Sequence, residues 1–197
     1  ALSKVFCERY AENNMINAPE GFKKVLRAYF HCKSADWPGN NPFALNSWTA
    51  SELAMMPRYY IMNDHEGMAE TASSMAPNED RGRSGSWMSD EELDIYSSEF
   101  LRSGLQGGLN WYRRALSVQE RKELSDYLGK SITAPVTFIA GEKDWGIHQV
   151  PGALKAMEEI ACSNFQGTNL VKGAGHWVQQ EKPHEVLGII EKVLASL

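Results

Sequence analysis

The stretch that decides the fold is Val136-Thr-Phe-Ile-Ala-Gly-Glu-Lys-Asp144-Trp-Gly146, an apolar run that ends in a polar turn. A second stretch, Leu170-Val-Lys-Gly-Ala-Gly-His176, follows the same plan. Continuous apolar runs rich in β-formers are typical of strands buried on both faces of a parallel sheet. Each predicted strand therefore ends in a polar loop, and the first loop delivers an acid, Asp144, whereas the second delivers a histidine, His176.

Both loops are expected at one edge of the predicted sheet. A helix is predicted between the strands, over about 150–161, and the two titratable residues are 32 positions apart, which is enough for one strand–helix–strand unit. The crossover makes the strands parallel, and α/β proteins bind ligands at the carboxyl ends of such strands. An Asp that orients one imidazole nitrogen leaves the other free to act as a base. The alternative is an ordinary turn aspartate and an unrelated loop histidine.

The chain before residue 129 is predicted to be helical. Apolar residues recur at the spacing of one helix face within Gly21–Phe30, and residues 1–30 are predicted to be helical as a whole. Capping boxes are predicted at Thr49 with Glu52 and at Ser89 with Glu92. The helix from Ser89 is expected to end at Gly104 and to turn four residues inward: Leu93, Tyr96, Phe100 and Leu101. Residues 73–86 are predicted to form a loop, and the last helix is predicted to begin at Pro183.

Composition excludes several classes of function. The net charge of −5 argues against nucleic acid or an anionic membrane as a partner, and no apolar run approaches the ~20 residues that span a bilayer. The three cysteines lack a Cys-x-x-Cys spacing, which favours buried thiols in a reducing compartment such as the cytoplasm. Metal-ligand spacings are absent as well, so we expect neither a metal nor a cofactor.

Two of these segments carry a family resemblance. Gly141-Glu-Lys-Asp144 and Gly173-Ala-Gly-His176-Trp-Val-Gln-Gln-Glu-Lys-Pro183 resemble the acid and histidine segments of α/β-hydrolases, specifically of the epoxide hydrolase branch. Leu109-Asn-Trp-Tyr112-Arg is similar to the cap segment that carries a ring-opening tyrosine in that family. The resemblance implies an α/β-hydrolase fold, with a helical cap over 1–128 and the C-terminal βαβα part of the core over 129–197.

The resemblance also implies roles for individual residues. Asp144 and His176 would form the acid–base pair, and Tyr112 would be one ring-opening acid. The second tyrosine is Tyr59 or Tyr60, with Tyr60 favoured for catalysis; the implied substrate contacts are Tyr59 and Trp111. The implied reaction opens a small hydrophobic epoxide by carboxylate attack and then hydrolyses the resulting ester. From the residues alone, Trp111 and Tyr112 are more readily explained as core aromatics.

The family's nucleophile is not found in this sequence. It sits on a sharp strand-to-helix turn, and Gly82-Arg-Ser-Gly-Ser86 is not preceded by an apolar strand. We therefore expect an N-terminal half, as a separate fragment or chain, to supply the nucleophile and to complete the sheet; a homodimer is the second option. The open alternatives for function are a serine esterase or lactonase, a haloalkane dehalogenase, and a non-catalytic relative that binds a ligand.

Overall fold

The computed structural model describes residues 10–76, 87–117, 122 and 124–196. The predictions for residues 1–9 and 77–86, including the Gly82–Ser86 motif, lie outside the described residues. Backbone packing divides the chain into two compact units. The first unit comprises the described parts of 1–32 and 57–128, and the second comprises 33–56 and 129–196.

The first unit is helical, as its sequence predicts. Its helices are α1 (Ala11–Ile16), α2 (Phe22–Lys33), α4 (Met68–Met75), α5 (Asp90–Ser103) and α6 (Gln106–Leu116), followed by a 3₁₀ turn at Leu124–Tyr127. Small residues let α2 and α4 approach closely, because Ala28 of α2 is buried in one cluster with Ala72. Helix α5 contributes aromatic contacts, among them an edge-to-face pair between Phe22 and Phe100.

Helix α5 confirms one predicted capping box. The Ser89 hydroxyl accepts a hydrogen bond from the Glu92 N–H (3.1 Å), and the Glu92 carboxylate accepts one from the Ser89 N–H (2.7 Å). The predicted stop is confirmed as well, because Gly104 follows the helix with a positive φ of 76°. Leu101, predicted to point inward, is 52 % exposed. It lies eight residues after Leu93, and that spacing puts it on the flank of the buried stripe.

Two further predictions about local structure are wrong. Helix α3 (Ala50–Leu53) begins after Thr49, but the Thr49 side chain makes no capping hydrogen bond. The Glu52 carboxylate instead accepts the main-chain N–H of Asn46, at 2.8 Å. The segment assigned to a loop from residue 73 continues α4 as far as Met75.

The second unit contains the predicted parallel pair. Strand β1 (Val136–Gly141) pairs in parallel with β2 (Phe165–Val171), and the register joins Gly141 to Val171. Between them lie a 3₁₀ turn (Trp145–Ile147), α7 (Ala153–Ala156) and a π-helical turn (Met157–Ala161). After β2 come α8 (Val178–Glu181) and α9 (Pro183–Ala195), which begins at the predicted proline.

The strands are buried only at their carboxyl ends. Ala140, Gly141 and Val171 are buried, whereas the first four residues of β1 are partly accessible and Leu170 is 48 % exposed. Helix α9 likewise keeps three apolar side chains exposed: Leu187, Ile190 and Leu194. Within the described residues, the second unit therefore encloses the strand ends and leaves much of its other apolar surface open.

Candidate active site

The two loops that follow β1 and β2 are joined by main-chain hydrogen bonds. The Glu142 N–H donates to the Val171 carbonyl (3.0 Å), and the Lys143 N–H donates to the Ala174 carbonyl (2.9 Å). These bonds continue the strand pairing into the turns. As a result, Asp144 in the first loop and His176 in the second are held at the same edge of the sheet.

Two glycines allow this close approach. A Cβ atom at Gly141 would lie 2.1 Å from the Gly175 carbonyl oxygen and 2.4 Å from that of Ala174. A Cβ atom at Gly175 would lie 2.6 Å from the carbonyl oxygen of Lys33. Real Cβ atoms do not approach main-chain atoms so closely, so both positions require glycine for space. Gly173 serves a different need, because its φ of 68° lies in the left-handed region.

Asp144 and His176 are hydrogen-bonded to each other. The His176 Nδ1 atom lies 3.1 Å from Oδ1 and 3.2 Å from Oδ2 of Asp144. The carboxylate also accepts the Gly146 N–H at 2.7 Å, and the His176 N–H donates to the Lys33 carbonyl at 2.9 Å. The Asp144 carboxylate is thus held by two partners, and the main chain of His176 is anchored beside its ring. The Nε2 atom, on the far side of the ring from Asp144, is the nitrogen available to take a proton.

The surroundings favour an ionised Asp144. Burial by itself would raise the pKa of this carboxyl, but the hydrogen bond and charge of His176 oppose it, together with the Gly146 N–H and the charge of Lys33. The net result is a pKa below the ordinary value. An anion that is charged at neutral pH can hold the imidazole in one tautomer and stabilise the imidazolium when it forms.

Two charged residues near this pair were missed in the sequence. Lys33 is 7 % exposed, and its ammonium group lies 5.7 Å from the centre of the Trp177 ring. Glu181 is 9 % exposed and accepts three main-chain N–H groups. In sequence, Lys33 looks like a cation at the end of a helix and Glu181 like a surface carboxylate before Pro183. Nothing in a single sequence distinguishes them from residues of that kind.

The predicted tyrosines lie in the first unit. Tyr59 and Tyr60 follow Pro57 in a turn, with ring centroids 4.8 Å apart. Tyr59 is buried, at 7 % exposure, whereas Tyr60 is half-buried. Trp111 and Tyr112 are neighbours on α6, with 75 % and 46 % of their surfaces exposed. Within their unit, these two are therefore not the core aromatics that composition suggests.

The described residues contain no candidate metal-binding cluster. Across the ranges given above, no three His, Cys, Asp or Glu side chains come together as metal ligands would. In the same part of the chain, none of the helices has both the length and the apolar character needed to cross a membrane.

Comparison with known proteins identifies what the chain is similar to. No protein-family model matches it. Epoxide hydrolase A of Mycobacterium tuberculosis is 40 % identical over 114 residues, which are 56 % of this chain and 33 % of that protein. Epoxide hydrolase 2 of Siraitia grosvenorii is 26 % identical over 203 residues, or 96 % of this chain and 59 % of the relative. These relatives are epoxide hydrolases.

A solved structure extends the likeness to the fold. An epoxide hydrolase from an endophytic Streptomyces matches 97 % of this chain with a TM-score of 0.72 at 26 % identity, and the match covers 50 % of that protein. The predicted resemblance to the epoxide hydrolase branch and the predicted α/β-hydrolase fold are therefore confirmed. The chain spans a third to somewhat more than half the length of the relatives described above.

Proposed function

We propose that this chain is the cap and the acid–base part of an enzyme that hydrolyses a small hydrophobic epoxide to a diol. The observation that carries the proposal is the hydrogen-bonded Asp144–His176 pair at the carboxyl ends of two parallel strands. The resemblance to epoxide hydrolases supplies the substrate class. The division into a cap over 1–128 and a core part over 129–197 belongs to this proposal.

The first step is the attack of a carboxylate on one epoxide carbon. A carbon–oxygen bond to the carboxylate forms, the ring bond to the epoxide oxygen breaks, and that oxygen takes a proton from a phenol. We assign the phenol to Tyr112, assisted by Tyr60. A phenol is protonated at neutral pH, and burial, followed by Tyr29, raises the pKa of Tyr112 further. The half-buried Tyr60 is more accessible than Tyr59, which is 7 % exposed. From the resemblance, Tyr59 and Trp111 are assigned to contact with the apolar substrate.

The second step is hydrolysis of the ester. The Nε2 atom of His176 takes a proton from water, and the resulting hydroxide attacks the ester carbonyl. The acyl–oxygen bond breaks, and the departing alkoxide takes the proton of the newly formed carboxyl group, so the diol leaves and the carboxylate is restored. The proton on His176 returns to the phenolate left by the first step. Asp144 holds the ring and stabilises the imidazolium, as the lowered pKa of its carboxyl allows. None of these steps calls for a metal or a cofactor.

The nucleophile is proposed to come from an N-terminal half that also completes the sheet. A two-stranded sheet is marginal by itself, and an open apolar edge invites pairing. The partly accessible β1 and the exposed apolar residues of α9 are in keeping with a surface that another part of the protein covers. A second copy of this chain is the other candidate for that cover. The buried free thiols Cys32 and Cys162 are in keeping with a reducing, cytoplasmic location.

The proposal is tested by the fate of oxygen atoms. Full-length protein, that is, this chain together with the half that precedes it, is given an aromatic epoxide in ¹⁸O-water under single-turnover conditions. We expect diol that lacks the label and protein that gains one ¹⁸O in its nucleophilic carboxylate. Absence of diol near neutral pH would overturn the proposal. Diol that carries the label in the first turnover would exclude the ester and indicate direct attack by water.

Tyr112→Phe is expected to slow ring opening about 10²-fold, because only the proton donor is lost. The rest of the ring stays, so the free energy of unfolding should change by less than about 1 kcal/mol. Rapid-quench measurement of ester formation tests the rate, and denaturant titration tests the stability. Tyr127→Phe removes a hydroxyl from an exposed tyrosine of the same unit and should leave the rate unchanged; equal effects of the two variants would remove Tyr112 from the mechanism.

A further inference from the structure

Glu181 is a buried carboxylate that the proposed mechanism does not use. It is the last residue of α8 and is 9 % exposed. Its Oε2 atom accepts the main-chain N–H of Ala35 at 2.8 Å and that of Gly175 at 3.0 Å. Its Oε1 atom accepts the N–H of Trp177 at 3.1 Å. One side chain therefore accepts hydrogen bonds from three backbone N–H groups, and the bond from Gly175 is buried.

The three donors lie around His176. Gly175 and Trp177 are its neighbours in sequence, and Ala35 lies two residues after Lys33, whose carbonyl accepts the His176 N–H. Glu181 thus links the segment of Lys33 and Ala35, which binds the His176 main chain, to Gly175 and Trp177 on either side of the histidine. Movement of the carboxylate would release the loop on both sides of the ring at once.

The charge state of Glu181 matters to this arrangement. A carboxylate offers acceptors on both oxygens, whereas an amide offers an acceptor on one atom and a donor on the other. A glutamine could keep the hydrogen bonds from the N–H groups of Ala35 and Gly175 only if its own NH₂ group faced the N–H of Trp177. Burial, with a contribution from Asp36, raises the pKa of Glu181 in spite of the three N–H donors. Holding the carboxylate here therefore costs free energy, and the backbone contacts offset part of that cost.

We propose that Glu181 is the positioning residue for His176: it sets the orientation of the imidazole towards Asp144 and thereby the rate of ester hydrolysis. This inference rests on the proposed function for its kinetic part. Its structural part, the alignment of His176 with Asp144, stands independently of any substrate.

The kinetic test is Glu181→Gln in full-length protein, with an aromatic epoxide as substrate. Misplacing a catalytic group by about 1 Å costs ~10²-fold, so we expect ester hydrolysis to slow about 10²-fold while ester formation stays within about twofold. Intact-protein mass spectrometry on a millisecond-to-minute scale follows both steps. The matched control is Glu185→Gln, which removes the same charge from an exposed position four residues on and should change neither step.

A readout without substrate separates this inference from the proposed function. The Nδ1–H proton shared by His176 and Asp144 should give a downfield NMR signal in the wild type, absent in a His176→Gln variant. We expect Glu181→Gln to shift or broaden that signal and Glu185→Gln to leave it in place. If the wild type forms no ester, the proposed function fails, and the signal alone decides the role of Glu181.

The results that would overturn the inference are specific. An unchanged proton signal in Glu181→Gln, or an equal loss in both chemical steps, would reduce Glu181 to a stabilising contact. If Glu181→Gln is unfolded at the assay temperature, Glu181→Asp takes its place, since it keeps the charge and shortens the reach. The same selective loss of hydrolysis is then expected, and a loss shared by both steps, or no loss, would again reject the role.

Discussion

A His176→Gln variant is expected to consume one epoxide per molecule of full-length protein and then stop. Attack by the nucleophile does not need the histidine, whereas release of the diol does, because water must lose a proton to reach the ester carbonyl. Steady-state turnover should fall by at least ~10³-fold. Intact-mass measurement should show the protein heavier by the mass of one substrate, and peptide analysis should locate the ester outside this chain.

The control for this variant is His184→Gln, a histidine exposed at the start of α9. It should turn over at the wild-type rate and accumulate no ester. Steady substrate consumption by His176→Gln without a mass increase would contradict the proposed order of steps. Absence of both consumption and adduct would instead assign His176 to the first step, as in an enzyme whose serine nucleophile needs the histidine as its base.

Local sequence patterns explain why the contact at the centre of the candidate site, between Asp144 and His176, could be predicted. A buried strand followed by a polar turn is recognisable in Val136–Asp144, and the same pattern recurs before His176. Parallel connection then brings the two turns together, as the 3.1 Å contact confirms. The capping box at Ser89 was equally predictable because its partners are three residues apart.

Contacts between segments far apart in sequence explain what could not be predicted. Glu52 satisfies the capping pattern with Thr49, yet the loop brings the Asn46 N–H within its reach. Residues 33–56 lie within the proposed cap over 1–128, but they pack in the second unit with 129–196. The Ala35–Glu181 bond joins positions 146 apart in the chain. Neither periodicity nor propensity contains that information, because it arises only when the backbone folds.

Helix α9 also shows the limit of sequence periodicity. Its apolar stripe is real, with Leu187, Ile190 and Leu194 at helical spacing, yet all three are exposed within the described residues. Periodicity predicts which side chains share a face but does not identify what covers that face. The stripe is therefore better explained by the proposed N-terminal half than by packing inside the chain.

Gly141→Ala is expected to have the largest effect on stability. The added methyl group would lie 2.1 Å from the Gly175 oxygen and 2.4 Å from the Ala174 oxygen, and both are main-chain atoms that no rotamer change can move. The backbone must separate where β1 and β2 end, so we expect the free energy of unfolding to fall by about 3 kcal/mol. The same separation should weaken the Asp144–His176 hydrogen bond.

Gly188→Ala is a control that is expected to raise the free energy of unfolding instead of lowering it. Gly188 lies inside α9, and no heavy atom of the described residues comes within 4 Å of the place where a Cβ would be. Alanine is favoured over glycine within helices, so this variant should gain about 0.5–1 kcal/mol. Denaturant titration of full-length protein measures both variants. Unfolding of Gly141→Ala at the wild-type midpoint would mean that the two loops are not packed against each other, and the geometry that orients His176 would lose its basis.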